Sequence, residues 1–306
     1  MTRSIAVIAT GGTIACTTDE QGALVPTLTA TDLVQAASEL IDFDIQILPI
    51  DSVQLDSSSL TLTDLDDLIA RVHDLLADDG VDGVVVTHGT DSMEETAMAL
   101  QLFHSGSKPV VITGAQRSFD HPDSDGPRNL VDAIAYANST GGGAAGVSIR
   151  FGGLSVPARG ANKAHTSSLD GFRPAPTPIK QYPTLDRVPL AGHDVVILAA
   201  WPGASRTMVD AAVAAGAEGI IIEGLGSGNM GSQMGEGVKD ALEAGIPVLI
   251  STRVPEGSVS LAYGGSGGGA TLARAGALGT GTLRAGQARM VLLAALASGV
   301  DVAELL

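Results

Sequence analysis

The sequence predicts an α/β protein built on open, mostly parallel sheets with helices on both faces. Short runs rich in Val and Ile alternate along the chain with amphipathic stretches of helical length. The apolar runs are nearly continuous, as expected for strands buried on both faces, and strand–helix alternation is typical of parallel sheets. Strands are predicted at 3–10, 44–49, 83–88, 109–114, 146–150, 193–199, 218–223 and 246–251. Helices are predicted at 29–41, 61–77, 90–104, 127–138, 207–215 and 235–244.

Proline divides the chain into two parts. The 306 residues suffice for two domains, and five prolines fall within 174–192, a segment without helical or strand periodicity. We therefore predict an N-terminal α/β domain at 1–175, a linker at 176–192 and a C-terminal α/β domain at 193–306. The glycine-rich run at 264–269 is predicted to be a flexible surface loop.

Composition argues against several classes of protein. The formal net charge is −17 and the basic residues do not cluster, whereas nucleic-acid binding depends on Lys and Arg that neutralise phosphates. No stretch approaches the length of a membrane span. The single cysteine, Cys16, and the lack of a signal-peptide layout fit a cytoplasmic protein. The six histidines are scattered without an H-x-x-x-H pair, so we expect no metal site.

Polar residues follow two of the predicted strands. Strand 3–10 leads into TGGT at 10–13, and strand 83–88 leads into HGTD at 88–91. In open α/β sheets, ligands bind outside the carboxyl ends of the strands. Glycines allow the backbone to turn sharply and to approach a ligand closely, so Thr13 would stand at the mouth of a crevice.

The segment after strand 83–88 has two interpretations. Asp91 followed by Glu94 matches a helix N-cap pattern, in which case Thr90 and Asp91 only cap a helix. A helix N-terminus with a hydroxyl and a carboxylate is also a polar binding site that can hold an oxyanion. Because a threonine hydroxyl needs a base to attack a carbonyl, Lys163, in a loop-like segment beyond strand 146–150, is the candidate base or, alternatively, a solvated surface lysine.

Two segments, TGGTIA at 10–15 and HGTDSMEETA at 88–97, resemble the signatures of the bacterial-type L-asparaginase (asparaginase/glutaminase) family. Supporting similarity extends along nearly the whole chain, through GAQRSFDHPDSDGPRNL at 114–130, GLGSGNM at 224–230, STRVPEG at 251–257 and GTGTLRAGQARMVL at 279–292. The resemblance implies a larger N-terminal domain with a mostly parallel, flavodoxin-like sheet and a smaller C-terminal parallel-sheet domain.

The resemblance also implies hydrolysis of L-asparagine to L-aspartate and ammonia, without a cofactor. Thr13 would be the nucleophile that forms a β-acyl-enzyme. Thr90, Asp91 and Lys163 would form a second cluster, in which Lys163 acts as base through Thr90 and Asp91 also holds the substrate α-amino group. Direct attack by an activated water remains an alternative. Selectivity over glutamine rests on one methylene, worth about 1–3 kcal/mol, so a glutaminase-asparaginase of mixed specificity is the alternative activity.

The family pattern implies further substrate-binding residues. Ser57 would bind the α-carboxylate with Ser58 beside it, if QLDSSSLTLTDL at 54–65 is the matching segment, and Asp51-Ser52 is a poorer match. The Ala115 backbone carbonyl would receive the side-chain amide. The implied substrate-binding set is Gly12, Ser57, Ser58, Gly89, Thr90, Asp91, Ala115 and Asn229.

Asn229 matches a residue that reaches the site of a neighbouring subunit, which implies a homo-oligomer, a tetramer built from two dimers. The chain departs from the family pattern in the loop after TGGTIA, where many members carry a tyrosine. The aligned positions here are near Ala23 and Leu24. We hypothesise that Tyr263 of the partner chain supplies the missing phenol.

Two other classes of protein compete with this interpretation. The pattern G-x-G-x-x-G at 226–231 follows strand 218–223 and could indicate a dinucleotide-binding protein, but the motif alone is weak. The third class is a non-catalytic amide-binding homologue. An amidotransferase component that acts on aminoacyl-tRNA also uses this module, normally with an added RNA-binding region. The match to G-x-S-x-G at 264–268 lacks the strand–turn–helix context of a serine hydrolase.

Overall fold

A computed structural model describes residues 2–52, 54, 56–139, 146–175 and 182–306. The chain divides into two compact units, Met1–Pro174 and Ala175–Leu306, each with its own sheet and its own apolar core. Part of the predicted linker, 176–181, lies outside the described residues.

The first unit is built on a mostly parallel sheet. The strands of the first unit are β1 (Ser4–Ala9), β2 (Cys16–Thr18), β3 (Leu24–Pro26), β4 (Gln46–Asp51), β5 (Gly83–Thr87), β6 (Val110–Thr113), β7 (Val147–Phe151), β8 (Leu154–Pro157), β9 (Asn162–Lys163) and β10 (Phe172–Arg173). Among the described residues the main sheet has the order β4-β1-β5-β6-β7-β8. All its pairs are parallel except β7–β8. The five parallel strands follow the flavodoxin-like order 2-1-3-4-5, which confirms the predicted fold class.

Helices cover the sheet of the first unit. They are α1 (Ala30–Ser38), α2 (Leu62–Ala77), α3 (Met93–Phe103) and α4 (Gly126–Asn138), with short 3-10 helices at Thr13–Ala15 and Ser57–Ser59. Helices α1 and α2 each begin with a capping box, Thr29 with Asp32 and Thr61 with Asp64, which satisfies backbone N–H groups of the first turn. Strand β1 is buried along its whole length, and it shares a core cluster with residues of α1 and α4.

The second unit contains a smaller parallel sheet. Its elements are β11 (Val195–Ala199), α5 (Thr207–Ala215), β12 (Gly219–Gly224), α6 (Ser232–Glu243), β13 (Val248–Thr252), α7 (Gly269–Arg274), β14 (Leu278–Gly279), α8 (Ala285–Ser298) and α9 (Val302–Leu305). The strands lie in the order β11-β12-β13-β14, and all three pairs are parallel. None of the described helices is long and apolar enough to cross a membrane.

Besides the short elements α7, β14 and α9, which were not predicted, helix α8 and the glycine-rich run differ from the sequence prediction. Helix α8 was not predicted, because it is apolar on most of its surface and shows no amphipathic period; nine of its residues are buried. Only part of the run 264–269 is packed: Gly264, Gly265 and Ser266 lie at the surface as predicted, whereas Gly267, Gly268 and Gly269 are buried. A Cβ on Gly267 would come within 2.1 Å of the Met230 carbonyl oxygen, and Gly269 begins α7.

Candidate active site

The loops that follow β1 and β5 touch each other at two glycines. Gly12 has φ +79°, and a Cβ built on it would come within 2.4 Å of both N and Cα of Gly89. Strands β1 and β5 are neighbours, with Ala9 opposite Thr87. Thr13 directly follows Gly12 and begins a 3-10 helix, while Thr90 directly follows Gly89. Thr13 and Thr90, the two threonines predicted to be catalytic, therefore lie at the same edge of the sheet, in loops whose backbones are in contact.

Lys163 lies against the second threonine and its neighbouring carboxylate. Its Nζ is 2.8 Å from Thr90 Oγ1 and 2.8 Å from Asp91 Oδ1. The Thr90 residue is buried, whereas the side chain of Lys163 is 20% exposed and that of Asp91 67% exposed. The Lys163 amino group is thus held between a buried hydroxyl and a solvent-facing carboxylate. The structure brings together three of the residues that the sequence nominated for one cluster.

Glu94 is a member of this cluster that the sequence analysis assigned to helix capping. Its Oε2 accepts a hydrogen bond from the backbone N–H of Lys163. Burial raises the pKa of the Glu94 carboxyl, and the hydrogen bond and positive charge of Lys163 partly oppose that rise. The N-cap of α3 is Ser92, with no side-chain cap bond. The capping interpretation of Asp91 and Glu94 is therefore wrong, because both carboxylates bind Lys163 instead.

His88 supports the loop from inside. The ring is buried, its Nδ1 is 2.7 Å from the Gly89 carbonyl oxygen, and its Nε2 is 3.1 Å from Thr96 Oγ1. Burial lowers the pKa of His88, and the hydrogen bond to Gly89 partly opposes this shift. A neutral ring that donates from Nδ1 and accepts at Nε2 satisfies both contacts.

Ser57 reaches the same place from the segment after β4. Its Oγ accepts a hydrogen bond from the Asp91 N–H at 3.2 Å, and its carbonyl oxygen accepts one from Ser92 Oγ at 2.6 Å. A Cβ on Gly89 would lie 2.5 Å from Ser57 Oγ, so only a glycine leaves room for the serine. Ser57 is buried, and Ser58 is exposed beside it.

The alternative match, Asp51-Ser52, lies in a different environment. Ser52 lines a cleft along α2 in which four aspartates, Asp51, Asp67, Asp74 and Asp78, outnumber the one cation, Arg71. A substrate carboxylate would meet like charges there. The geometry therefore favours Ser57 over Ser52 as a carboxylate ligand.

Ala115 lies in the loop after β6 and is buried. A Cβ on Gly126, the first residue of α4, would lie 2.9 Å from Ile14 Cγ1 and 3.5 Å from the Ala115 Cβ. The close start of α4 therefore brings the Ala115 loop against the residue that follows Thr13.

The loop after Thr13 forms the hairpin β2–β3. Cys16 Sγ donates a hydrogen bond to the Gly12 carbonyl at 3.2 Å, and burial is the main cause that raises the pKa of the Cys16 thiol. The hairpin is tied to the loop after β6, since the Thr18 N–H donates to Asp120 Oδ2 at 2.8 Å. Ala23 and Leu24, the positions aligned with the family tyrosine, are exposed.

The remaining predicted residues, Asn229 and Tyr263, lie in the second unit. The N–H and C=O groups of Asn229 pair with those of Leu225, at 2.9 and 2.7 Å, and the Met230 N–H donates to the Gly267 carbonyl at 3.0 Å. Three consecutive N–H groups of the 226–231 loop, those of Gly228, Asn229 and Met230, are thus bonded within the protein and do not face a dinucleotide phosphate. The Tyr263 side chain is 62% exposed.

No group of three or more His, Cys, Asp or Glu residues within the described ranges is arranged to hold a metal ion. The polar groups of the clustered site are the hydroxyls, the lysine amino group and the carboxylates described above.

Comparison with known proteins gives concordant matches along the chain. The family model described as "Asparaginase, N-terminal" matches residues 4–189, and "Glutaminase/Asparaginase C-terminal domain" matches residues 194–305. An L-asparaginase of Bacillus licheniformis is 32% identical over 315 aligned residues, which cover 97% of each chain. A component of the glutamyl-tRNA(Gln) amidotransferase of Methanopyrus kandleri is 35% identical and covers 84% of this chain, which spans 63% of that relative.

The same similarity extends to three-dimensional structure. The crystal structure of a probable cytoplasmic L-asparaginase from Campylobacter jejuni superposes with a TM-score of 0.85 at 28% identity. The alignment covers 99% of this chain and 98% of that one.

Proposed function

Because the chain belongs to the asparaginase family of amide hydrolases, we propose that it converts L-asparagine and water to L-aspartate and ammonia. The observation that carries the proposal is the position of Lys163 Nζ, 2.8 Å from both Thr90 Oγ1 and Asp91 Oδ1. This cluster lies beside the loop contact that presents Thr13.

Thr13 is the proposed nucleophile. Its Oγ1 attacks the side-chain carbonyl carbon of asparagine, the carbon–nitrogen bond breaks, and ammonia leaves with the hydroxyl proton of Thr13. A water molecule then attacks the resulting ester, which releases aspartate and restores the hydroxyl. Lys163, acting as the neutral amine, is the base that takes the proton through Thr90. In the alternative route, the same base activates a water molecule that attacks the amide directly, with the same products.

The charges at the site suit an amino-acid substrate. The carboxylate of Asp91 would bind the α-ammonium group, and the Ser57 hydroxyl would bind the α-carboxylate. The Ala115 carbonyl oxygen would accept a hydrogen bond from the side-chain amide, with Gly12 and Gly89 lining the pocket. Asp91 is exposed enough to receive the ammonium group while it still contacts Lys163.

We further propose the domain division 1–175, 176–192 and 193–306, with the catalytic residues in the first domain. The two compact units support a division near residue 175. The protein is proposed to be a cytoplasmic homotetramer built from two dimers, in which Asn229 of one subunit reaches the site of its partner. The similarity to a probable cytoplasmic L-asparaginase supports the location.

The direct test is ammonia release from L-asparagine and, in parallel, from L-glutamine. The matched variants are Thr13→Ala and Thr31→Ala, the latter an exposed threonine on α1. We expect release from asparagine that is abolished only by Thr13→Ala. Comparable rates with glutamine would indicate mixed specificity. A wild-type protein that releases no ammonia from either amide, or a Thr13→Ala protein with full activity, would contradict the proposal.

A further inference from the structure

We propose that Asp125 and Asn129 position the Ala115 carbonyl oxygen and thereby make the site prefer amide substrates over esters. This inference rests on the proposed function and deepens it, because it adds two positioning residues to the reaction. Neither residue was nominated from the sequence, although both lie in the stretch 114–130.

Asp125 fixes the backbone on the C-terminal side of Ala115. Its Oδ1 accepts a hydrogen bond from the Arg117 N–H at 2.9 Å, and its Oδ2 accepts one from the Gln116 N–H at 3.0 Å. Two consecutive N–H groups bound by one carboxylate leave the peptide little freedom to rotate. Because charge-assisted hydrogen bonds are stronger than neutral ones, this carboxylate is well suited to hold the loop.

Asn129 fixes the N-terminal side of Ala115. Its Nδ2 donates to the Gly114 carbonyl oxygen at 3.0 Å and to Asp125 Oδ2 at 3.1 Å, and its Oδ1 accepts from the Gly152 N–H at 3.2 Å. The side chain is buried, so a lost bond would leave a polar group without water. Asn129 therefore links the loop after β6, the start of α4 and the turn after β7.

Together the two side chains hold the groups on both sides of Ala115. The hydrogen bonds of the described residues satisfy the Gly114 carbonyl and the N–H groups of Gln116 and Arg117, and they leave the Ala115 carbonyl oxygen available. Gly126 packs this loop against Ile14, which follows the proposed nucleophile. The loop that carries the Ala115 carbonyl is thus held beside the residue that follows Thr13.

A carbonyl oxygen held in this position distinguishes an amide from an ester. The leaving nitrogen of asparagine carries hydrogens and can donate to the Ala115 oxygen. The corresponding oxygen of an ester has no hydrogen, so two acceptors would face each other. A hydrogen bond of this kind contributes a net factor of about three- to tenfold, and loosening the carbonyl should remove that preference for amides.

The experiment compares two substrates with the same variants. Ammonia release from L-asparagine and methanol release from L-aspartate β-methyl ester give two kcat/KM values, and their ratio is the readout. The variants are Asp125→Asn, Asn129→Asp and, as a matched control, Asp123→Asn. The Asp123 side chain is 80% exposed in the same loop. A melting curve identifies any variant that fails to fold, and the ratio is then taken from the other.

We expect the amide-to-ester ratio to fall about three- to tenfold in Asp125→Asn and Asn129→Asp and to stay at the wild-type value in Asp123→Asn. A general structural defect would lower both rates together. An unchanged ratio in folded, active variants overturns the inference but leaves the proposed function intact. If neither variant folds, the two residues are structural and the inference is likewise overturned. A wild-type protein inactive on asparagine refutes the proposed function, and this inference with it.

Discussion

The Cα atom of Gly89 stands where a side chain on Gly12 would have to go. A Cβ on Gly12 would approach it to 2.4 Å, closer than any real Cβ contact. This approach joins the loops of two neighbouring parallel strands and holds Thr13 and Thr90 at one edge of the sheet. The contact between two glycines, rather than either glycine alone, makes the proposed site compact.

The first prediction tests this contact with Gly12→Ala against Gly22→Ala. Both residues have similar positive φ angles, +79° and +83°, but only Gly12 faces another backbone; nothing lies within 4 Å of a Cβ on Gly22. We expect Gly22→Ala to lower the free energy of unfolding by about 1–2 kcal/mol and to keep its activity. Gly12→Ala should in addition lose about a hundredfold in kcat, because it displaces the reacting groups. Equal activities in steady-state assays of the two variants would contradict the prediction.

The second prediction concerns the amino group of Lys163. Replacement by methionine keeps a long apolar side chain but removes the bonds to Thr90 and Asp91. We expect Lys163→Met to lower kcat about 10²- to 10⁴-fold, as for the loss of a general base. The control is Lys239→Met, since that side chain is 57% exposed in the second unit. Retention of wild-type kcat by folded Lys163→Met would remove Lys163 from the mechanism.

The third prediction concerns the pH dependence caused by Glu94. Its pKa is raised above 4.5 in the folded protein. At pH values between 4.5 and this raised pKa, the folded state therefore holds a proton that the unfolded chain has released. The stabilising contribution is complete below pH 4.5 and is lost as the pH rises through the raised pKa. We expect Glu94→Gln to flatten this part of the profile of unfolding free energy against pH.

Urea unfolding of the wild type and Glu94→Gln at several pH values measures that profile, with the exposed Glu39→Gln as control. The variant should also have a lower kcat, because the charged carboxylate no longer holds the Lys163 backbone. A profile as steep as that of the wild type would show that Glu94 does not titrate as inferred.

The fourth prediction addresses the missing loop tyrosine. Ala23 and Leu24 offer no phenol, and Tyr263 is exposed in the second unit. If the partner's Tyr263 completes the site, Tyr263→Phe should lower kcat about tenfold or more, in line with a lost proton-transfer group, while the oligomer seen by light scattering is unchanged. Intact activity in Tyr263→Phe would exclude this role.

Much of the secondary structure in both units follows from local patterns. The eight predicted strands lie within a few residues of β1, β4, β5, β6, β7, β11, β12 and β13, because nearly continuous Val and Ile runs are typical of buried parallel strands. The edge strand β8, the hairpin strands β2 and β3 and the two-residue strands were not predicted, since such short segments carry no periodicity. Helix α8 was not predicted because its surface is apolar on most sides, so its sequence shows no contrast between a buried and an exposed face.

The candidate site likewise contains residues whose roles the sequence predicts and residues whose roles it does not. TGGT and HGTD can be read from the chain, because glycines and hydroxyls at strand ends are local signals. The partner of Glu94 cannot be read from the chain, because the spacing of Glu94 from Asp91 equally fits a helix cap. The roles of Asp125 and Asn129 cannot be read from the chain either, because their hydrogen bonds reach Gln116, Arg117 and Gly152.

By itself, then, the sequence determined the fold class, the succession of strands and helices along the chain, and the family, since these depend on periodicity and on short motifs. The tertiary structure alone decided that Glu94 binds the Lys163 backbone, 69 residues away in the chain, and that Ser57 packs on Gly89. Such contacts depend on the order of strands in the sheet and on close packing between loops. Those are properties of the whole chain, which a local pattern does not encode.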